Sequence, residues 1–274
     1  MERITEQSSL YHNLEKMGIE EITADINKED KKVAVVIENS LPQINRLIEA
    51  VVSKLKSGGR MFYLGAGSGG RLSVLDVIEL PNTYGVPKGM INVILAGGVN
   101  NLVRACEEKE DDIEEGWNML QQENISDRDI VVGISASGTT PFVLAGLEQC
   151  RKNNITTGCI VSNPDSPIAS QSDFPIQLVT GPEFLTGSTR MKCGTAQKMI
   201  FDMISTTVMI RLGRVEDNCM VNMHLSNKKT IHRAVKMLMN KGGIKLYEEA
   251  RELLIRYGSV RNVLNNLQKN DVKL

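Results

Sequence analysis

The chain has 274 residues, with 32 Lys+Arg against 33 Asp+Glu, a formal charge of −1. Hydrophobic residues make up 41% and charged residues 24%, enough apolar material for a large packed core and too much for a disordered chain. The even charge balance argues against nucleic acid as a partner, because neutralising phosphates takes a basic excess. No apolar run approaches the roughly 20 residues that cross a bilayer, so no membrane partner is expected. The opening Met-Glu-Arg-Ile-Thr-Glu-Gln lacks the apolar stretch of a signal peptide, and the expected location is cytoplasmic.

Residues 1–25 are polar and mixed and read as an arm. From Asn27 the pattern turns helical: Asn27 can cap with Asp30 at the third position, and Val33, Val36, Ile37, Ser40 and Leu41 recur at three- and four-residue intervals. A second helix is expected after Pro42, with Ile44, Leu47, Ile48, Val51, Val52 and Leu55 on one face and Ser57-Gly58-Gly59 as its stop. Residues 60–65 form a short apolar strand that runs into the turn Gly65-Ala66-Gly67-Ser68-Gly69-Gly70. A helix over residues 71–79 follows, expected to stop before Pro81. Residues 90–96 are the next strand, 101–122 an acidic helix, and 129–135 a third strand. The third strand leads into Ser135-Ala136-Ser137-Gly138-Thr139-Thr140 and a helix from Pro141, a residue favoured at the first helical position. Residues 156–162 and 174–180 supply two more strands. This alternation predicts an α/β fold, a doubly wound, mostly parallel sheet flanked by helices. One long Met-rich helix lies between 181 and 213, a stripe that suits core or a subunit contact. Three short helices over 228–240, 245–257 and 259–269 end the chain.

Two strands thus end in turns rich in glycine and hydroxyl groups. Their backbone N–H groups, with a helix N-terminus behind them, suit a phosphate or another anion. The candidates are Gly67, Ser68 and Gly69 in the first turn, and Ser135, Ser137, Gly138, Thr139 and Thr140 in the second. Neither turn is followed by Gly-Lys-Ser/Thr. Gly65, Gly67 and Gly70 match G-x-G-x-x-G, but residues 86–95 hold no acidic group for a ribose. The pair therefore reads as a site for a phosphorylated small molecule. A third polar cluster precedes the long helix, where Ser188, Thr189, Arg190 and Lys192 offer hydroxyls and cations to an anionic group. The five cysteines are widely spaced without a C-x-x-C pair and read as small buried residues; the three histidines lack a ligand spacing. No metal and no cofactor is expected.

Two carboxylates stand out differently. Glu79 falls near the expected end of the helix launched by the first glycine turn, where the helix dipole disfavours ionisation and suits a general acid. Glu110 lies in Glu107-Glu108-Lys109-Glu110-Asp111-Asp112, a run that by itself reads as a solvated face.

The motifs Gly65-Ala-Gly-Ser-Gly-Gly-Arg-Leu-Ser-Val-Leu-Asp-Val-Ile-Glu79, Ser135-Ala-Ser-Gly-Thr-Thr-Pro141 and Leu185-Thr-Gly-Ser-Thr-Arg-Met-Lys-Cys-Gly-Thr-Ala-Gln-Lys198 closely resemble the N-acetylmuramic acid 6-phosphate etherases. That family has a sugar-isomerase-type (SIS) domain and is related to the glucokinase regulatory protein. The resemblance runs from Thr5-Glu6 through Asn27-Lys-Glu-Asp30 to Asn218-Cys-Met-Val-Asn222 and Asn227-Lys-Lys229. It implies residues 1–58 as an arm and helices packing on the core, 59–222 as the SIS-type sugar-phosphate-binding domain, and 223–274 as a helical appendage. It implies cleavage of a lactyl ether, with the general acid at Glu79 and the second catalytic glutamate at Glu110. It also implies a homodimer whose site is shared between subunits, with Thr5 and Glu6 reaching across.

Departures are visible too. Ser68-Gly69-Gly70-Arg71 stands where the family usually has Thr-Ser-Gly-Arg, Thr139 replaces an arginine, and Asp202 replaces an asparagine. These keep two other readings open: a sugar-phosphate isomerase, and a non-enzymatic sugar-phosphate sensor. Retention of both Glu79 and Glu110 favours the enzyme, because binding alone does not demand an acid–base pair.

Overall fold

Five short apolar segments build one sheet. β1 (Met61–Gly65), β2 (Ile91–Leu95), β3 (Ile130–Ser135), β4 (Thr156–Val161) and β5 (Phe174–Gln177) lie in the order β2-β1-β3-β4-β5, and every neighbouring pair is parallel. Every residue of β1 and β3 is buried, as expected of central strands covered on both faces. The computed structural model describes residues 3–104 and 106–269. The doubly wound α/β fold expected from the alternation is the one observed. Its strand order reverses between β1 and β3, where Gly65 is in register with Ile134. The two hydroxyl-rich turns leave the sheet there, side by side, at the switch point where open α/β sheets hold ligands.

The helices depart from expectation in three places. α1 (Ile19–Lys56) is a single helix with Pro42 inside it, not two, and the Asn27 cap is not formed. Val33, Ile37, Ser40, Ile44, Leu47, Val51 and Leu55 form one unbroken buried stripe across the proline. Packing that stripe outweighs the roughly 3 kcal/mol that an interior proline costs. α2 (Gly67–Tyr84) likewise passes through Pro81, so Glu79 lies in the body of the helix and not at its end. The acidic stretch is broken. A 3₁₀ turn over Glu107–Asp111 stops at Asp112, whose carboxylate accepts the N–H groups of Glu114 and Glu115 and starts α3 (Glu115–Gln122) afresh.

The remaining helices are α4 (Pro141–Lys152), the short α5 (Pro167–Ser170), α6 (Lys192–Arg211), α7 (Lys228–Gly242), α8 (Tyr247–Tyr257) and α9 (Val260–Lys269). The chain divides into two compact units. One comprises the residues up to Val77 with Gly89–Ile204, the other Ile78–Lys88 with the residues from Ser205 onward. The first holds the sheet, over a core that includes Phe62, Leu64, Val131, Phe142, Leu147 and Val161. The second packs α7, α8 and α9 around Ala234, Leu238, Ala250, Leu254 and Val263. Asn227 and Thr230 cap α7 reciprocally, the box that the sequence placed at Asn27.

Cys150, Cys159 and Cys193 are buried as expected, but Cys106 and Cys219 are only half-buried. All three histidines are exposed. Among the described residues, no group of three or more His, Cys, Asp or Glu side chains is placed to hold a metal ion, and no helix is long and apolar enough to cross a membrane.

Candidate functional site

Each turn ends a strand and opens a helix. Gly67 begins α2 and Pro141 begins α4, so the unbonded N–H groups of two first turns gather beyond adjacent strand ends. In the second turn Gly138 has φ +72°, and a Cβ there would lie 2.2 Å from Ser166 Oγ, so only glycine fits. The hydroxyls hold one another. Ser135 Oγ accepts the Gly138 N–H at 3.0 Å and lies 2.8 Å from Thr140 Oγ1 and 3.2 Å from Ser137 Oγ. Thr139 Oγ1 donates to Ser137 Oγ at 3.1 Å.

Between the turns is a cavity of about 200 Å³, entirely within the first unit. Gly67, Ser68 and Gly69 line it from the first turn and Ser135, Ser137 and Thr140 from the second; Gly187 and Thr189 come from the third cluster. Glu6, Glu110 and Gln197 complete its polar wall. Gly138 and Thr139 shape the second turn without lining the cavity. Ser188 is half-buried and Arg190 exposed, and neither lines it.

Glu110 is the half-buried glutamate of a run in which Glu107, Glu108 and Asp111 are exposed. Burial pushes its carboxyl above the ordinary range, and repulsion from Glu107 and Asp111 adds to this while the Arg71 cation opposes it. Its Oε1 lies 2.6 Å from where a Cβ on Gly67 would stand. Glu79 is exposed on α2 and belongs to the second unit.

Lys192, expected beside Arg190 on an anion, is instead buried. Its ammonium meets Glu29 Oε2 at 2.6 Å, and both side chains are 3% exposed. Lys32 and Tyr11 also donate to Glu29. Burial alone would raise the Glu29 carboxyl, but hydrogen bonds from Lys192, Lys32 and Tyr11 outweigh it and bring the pKa down to about 2. Glu183 caps the same corner, accepting the backbone N–H groups of Lys192 and Cys193 at the start of α6.

The N-terminal arm is bonded to Asn163, Thr186 and Phe184. Thr5 N–H donates to Asn163 Oδ1, and Asn163 Nδ2 donates to both Thr5 Oγ1 and Ser137 O at 2.9 Å. Ser9 N–H donates to Thr186 Oγ1, and its hydroxyl to Phe184 O. Glu6 lines the cavity, and Thr5 is joined through Asn163 to Ser137 in its wall. Sequence reasoning also passed over Gln197. Cys193, Ala196, Ile200, Phe201 and Ile204 are buried around it on α6, and a polar residue in the middle of such a face was the available signal.

A model of the glucokinase regulatory protein N-terminal SIS domain matches residues 43–151, and a SIS domain model matches residues 112–206. An N-acetylmuramic acid 6-phosphate etherase of Porphyromonas gingivalis is 50% identical over 272 residues, 99% of either chain. One of Bacteroides fragilis is 49% identical over 263 residues, 96% of this chain and 93% of the relative. The chain belongs to the N-acetylmuramic acid 6-phosphate etherase family. A more distant etherase of Salmonella enteritidis is still 45% identical over 242 residues, 88% of this chain and 81% of that one. Among solved structures, a phosphoheptose isomerase from Francisella tularensis aligns with a TM-score of 0.55 at 17% identity, covering 73% of this chain and 100% of its own. A phosphoheptose isomerase from Neisseria gonorrhoeae aligns with a TM-score of 0.54 at 14% identity, over 70% of this chain and 98% of its own. At such identities the etherase chain shares their fold, and the likeness says nothing of its chemistry.

Proposed function

We propose that the chain cleaves the D-lactyl ether of N-acetylmuramic acid 6-phosphate, giving N-acetylglucosamine 6-phosphate and D-lactate, as a carbon–oxygen lyase. Membership of the etherase family supports the reaction. The observation that supports its placement is the cavity itself, lined by hydroxyls and backbone amides suited to an anion, with the half-buried carboxylate of Glu110 in its wall.

The chemistry asks for two carboxyl groups in opposite protonation states. With the sugar open to its C1 aldehyde, the C2 proton is acidic, and the Glu110 carboxylate removes it. The C3–O bond breaks as Glu79 delivers a proton to the departing lactate oxygen. Water then adds to the unsaturated aldehyde at C3, and a proton returns to C2. The hydroxyls of Ser68, Ser135, Ser137, Thr140 and Thr189 hold the phosphate, together with the N–H groups that open α2 and α4. Arg190, exposed and outside the cavity lining, is kept in this reading as a further cation for the same anion. No cofactor or metal takes part in this reading.

Leu75, Ile78 and Glu79 share one exposed stripe on α2, and the two apolar residues are 47% and 56% exposed. We assign that stripe to the interface of a homodimer, in which a second copy covers the apolar pair and closes around Glu79. The physiological setting is cytoplasmic recycling of a cell-wall amino sugar.

The test is D-lactate release from N-acetylmuramic acid 6-phosphate by the purified chain. Glu79→Gln should suppress lactate release while leaving binding of N-acetylglucosamine 6-phosphate intact. Glu110→Gln should also abolish solvent exchange of the C2 proton. Persisting exchange would remove Glu110 as the base, and binding of a hexose phosphate without lactate release would favour a sensor.

A further inference from the structure

We infer that Gln197 is a ligand-binding residue whose carboxamide donates a hydrogen bond to the phosphate group of the sugar phosphate; the inference rests on the sugar-phosphate reading of this cavity. Gln197 is 2% exposed and lies on α6 with its side chain in the cavity wall. Among the described residues its carboxamide has no hydrogen-bond partner, whereas Ser135, Ser137 and Thr140 on the same wall are bonded to one another. A buried carboxamide loses its water and normally regains the bonds from protein groups. Here the open side is the cavity, so the missing partner is whatever the cavity holds.

Gly69 makes this placement possible. A Cβ at position 69 would stand 2.9 Å from Gln197 Oε1 and 2.7 Å from Ile134 Cγ2. The bare backbone of the first turn therefore leaves room for the carboxamide beside the N-terminus of α2. Its neighbours select the chemistry. Serine and threonine hydroxyls and helix-opening N–H groups converge on an anion, which a carbonyl oxygen would repel, so the group offered to the ligand is the Nε2 amide N–H, with the carboxamide turned from the orientation that sets Oε1 beside Gly69.

The test uses the full chain with N-acetylglucosamine 6-phosphate and inorganic phosphate as probes, measured by titration calorimetry. The wild-type chain should bind the sugar phosphate, and inorganic phosphate should displace it; failure of both would remove the sugar-phosphate reading rather than the role of Gln197. Gln197→Met keeps the volume and should weaken binding of either probe about tenfold to a hundredfold, as for a lost bond to a charged group. Gln197→Glu puts a carboxylate against the phosphate and should weaken it further. Because the amide has no partner among the described residues, ligand-free Gln197→Met should melt no lower than the wild type. Two results overturn the inference: a lower melting temperature with unchanged affinity, which makes Gln197 structural, or wild-type affinity in Gln197→Glu, which excludes donation to phosphate.

Discussion

Gly67 and the carboxylate of Glu110 are in contact across the cavity wall, with only 2.6 Å between Glu110 Oε1 and the place a Cβ on Gly67 would take. A glycine on the first helical turn thus fixes where a carboxylate from a distant acidic run comes to rest. Gly67→Ala should move that carboxylate by about an ångström and strain a residue at φ +53°. The expected outcome is a fall in kcat of about a hundredfold with little change in the affinity for N-acetylglucosamine 6-phosphate. Steady-state kinetics with calorimetry on the same variant checks both halves.

With Glu110 as the base of the proposed reaction, its raised carboxyl should set the acid side of the pH profile. A base works only when ionised, so kcat/KM should fall below a pKa higher than the ordinary glutamate value of 4.5. The Arg71 cation opposes the rise. Arg71→Gln should therefore move the acid limb to still higher pH, and a limb that stays put would separate Arg71 from the base.

The same shift has a cost in stability. A group whose folded pKa is raised supports the fold below its unfolded pKa, and that support is lost as pH rises through the folded value. Glu110→Gln should therefore melt higher than the wild type at pH 7, with the gap closing as the pH is lowered to 4. Thermal melts at the two values decide it.

Glu29 works in the opposite sense. Its pKa of about 2 lies below the ordinary 4.5, so the stability drawn from its pairing is present above pH 4.5 and disappears as pH falls toward 2. Glu29→Gln leaves Lys192 buried without its counter-charge and should cost about 3–5 kcal/mol at neutral pH. Denaturant unfolding at pH 7 measures the loss, and the difference from wild type should shrink at low pH.

The arm is held at the cavity largely through Asn163, which bonds Thr5 twice and Ser137 once. Asn163→Ala should release it, exposing the bond after Arg3 to trypsin and raising KM several-fold while kcat changes little. Limited proteolysis and kinetics on one preparation test the two together. Wild-type resistance to trypsin would show that Ser9 and its bonds to Thr186 and Phe184 suffice.

Local chemistry made much of this molecule readable. The β-rich apolar runs with glycine turns behind them identified the strands, and the density of hydroxyls at 135–140 pointed to a turn that lines a cavity, because both signals act within a few residues. Helix ends were less legible. Prolines 42 and 81 look like stops, yet each sits inside a helix. What keeps α1 going is burial of residues on both sides of Pro42, a contribution that no local rule contains.

By itself, then, the sequence determined the parallel sheet, the two turns at its switch point and the family, since backbone preference and motif identity are carried by neighbouring residues. Only the tertiary structure decided which acid of the run 107–112 reaches the cavity, that Lys192 is paired with Glu29, and that Gln197 lines the cavity. Those outcomes depend on burial and on partners far away along the chain, and a side chain's solvation and its neighbours exist only once the chain has folded.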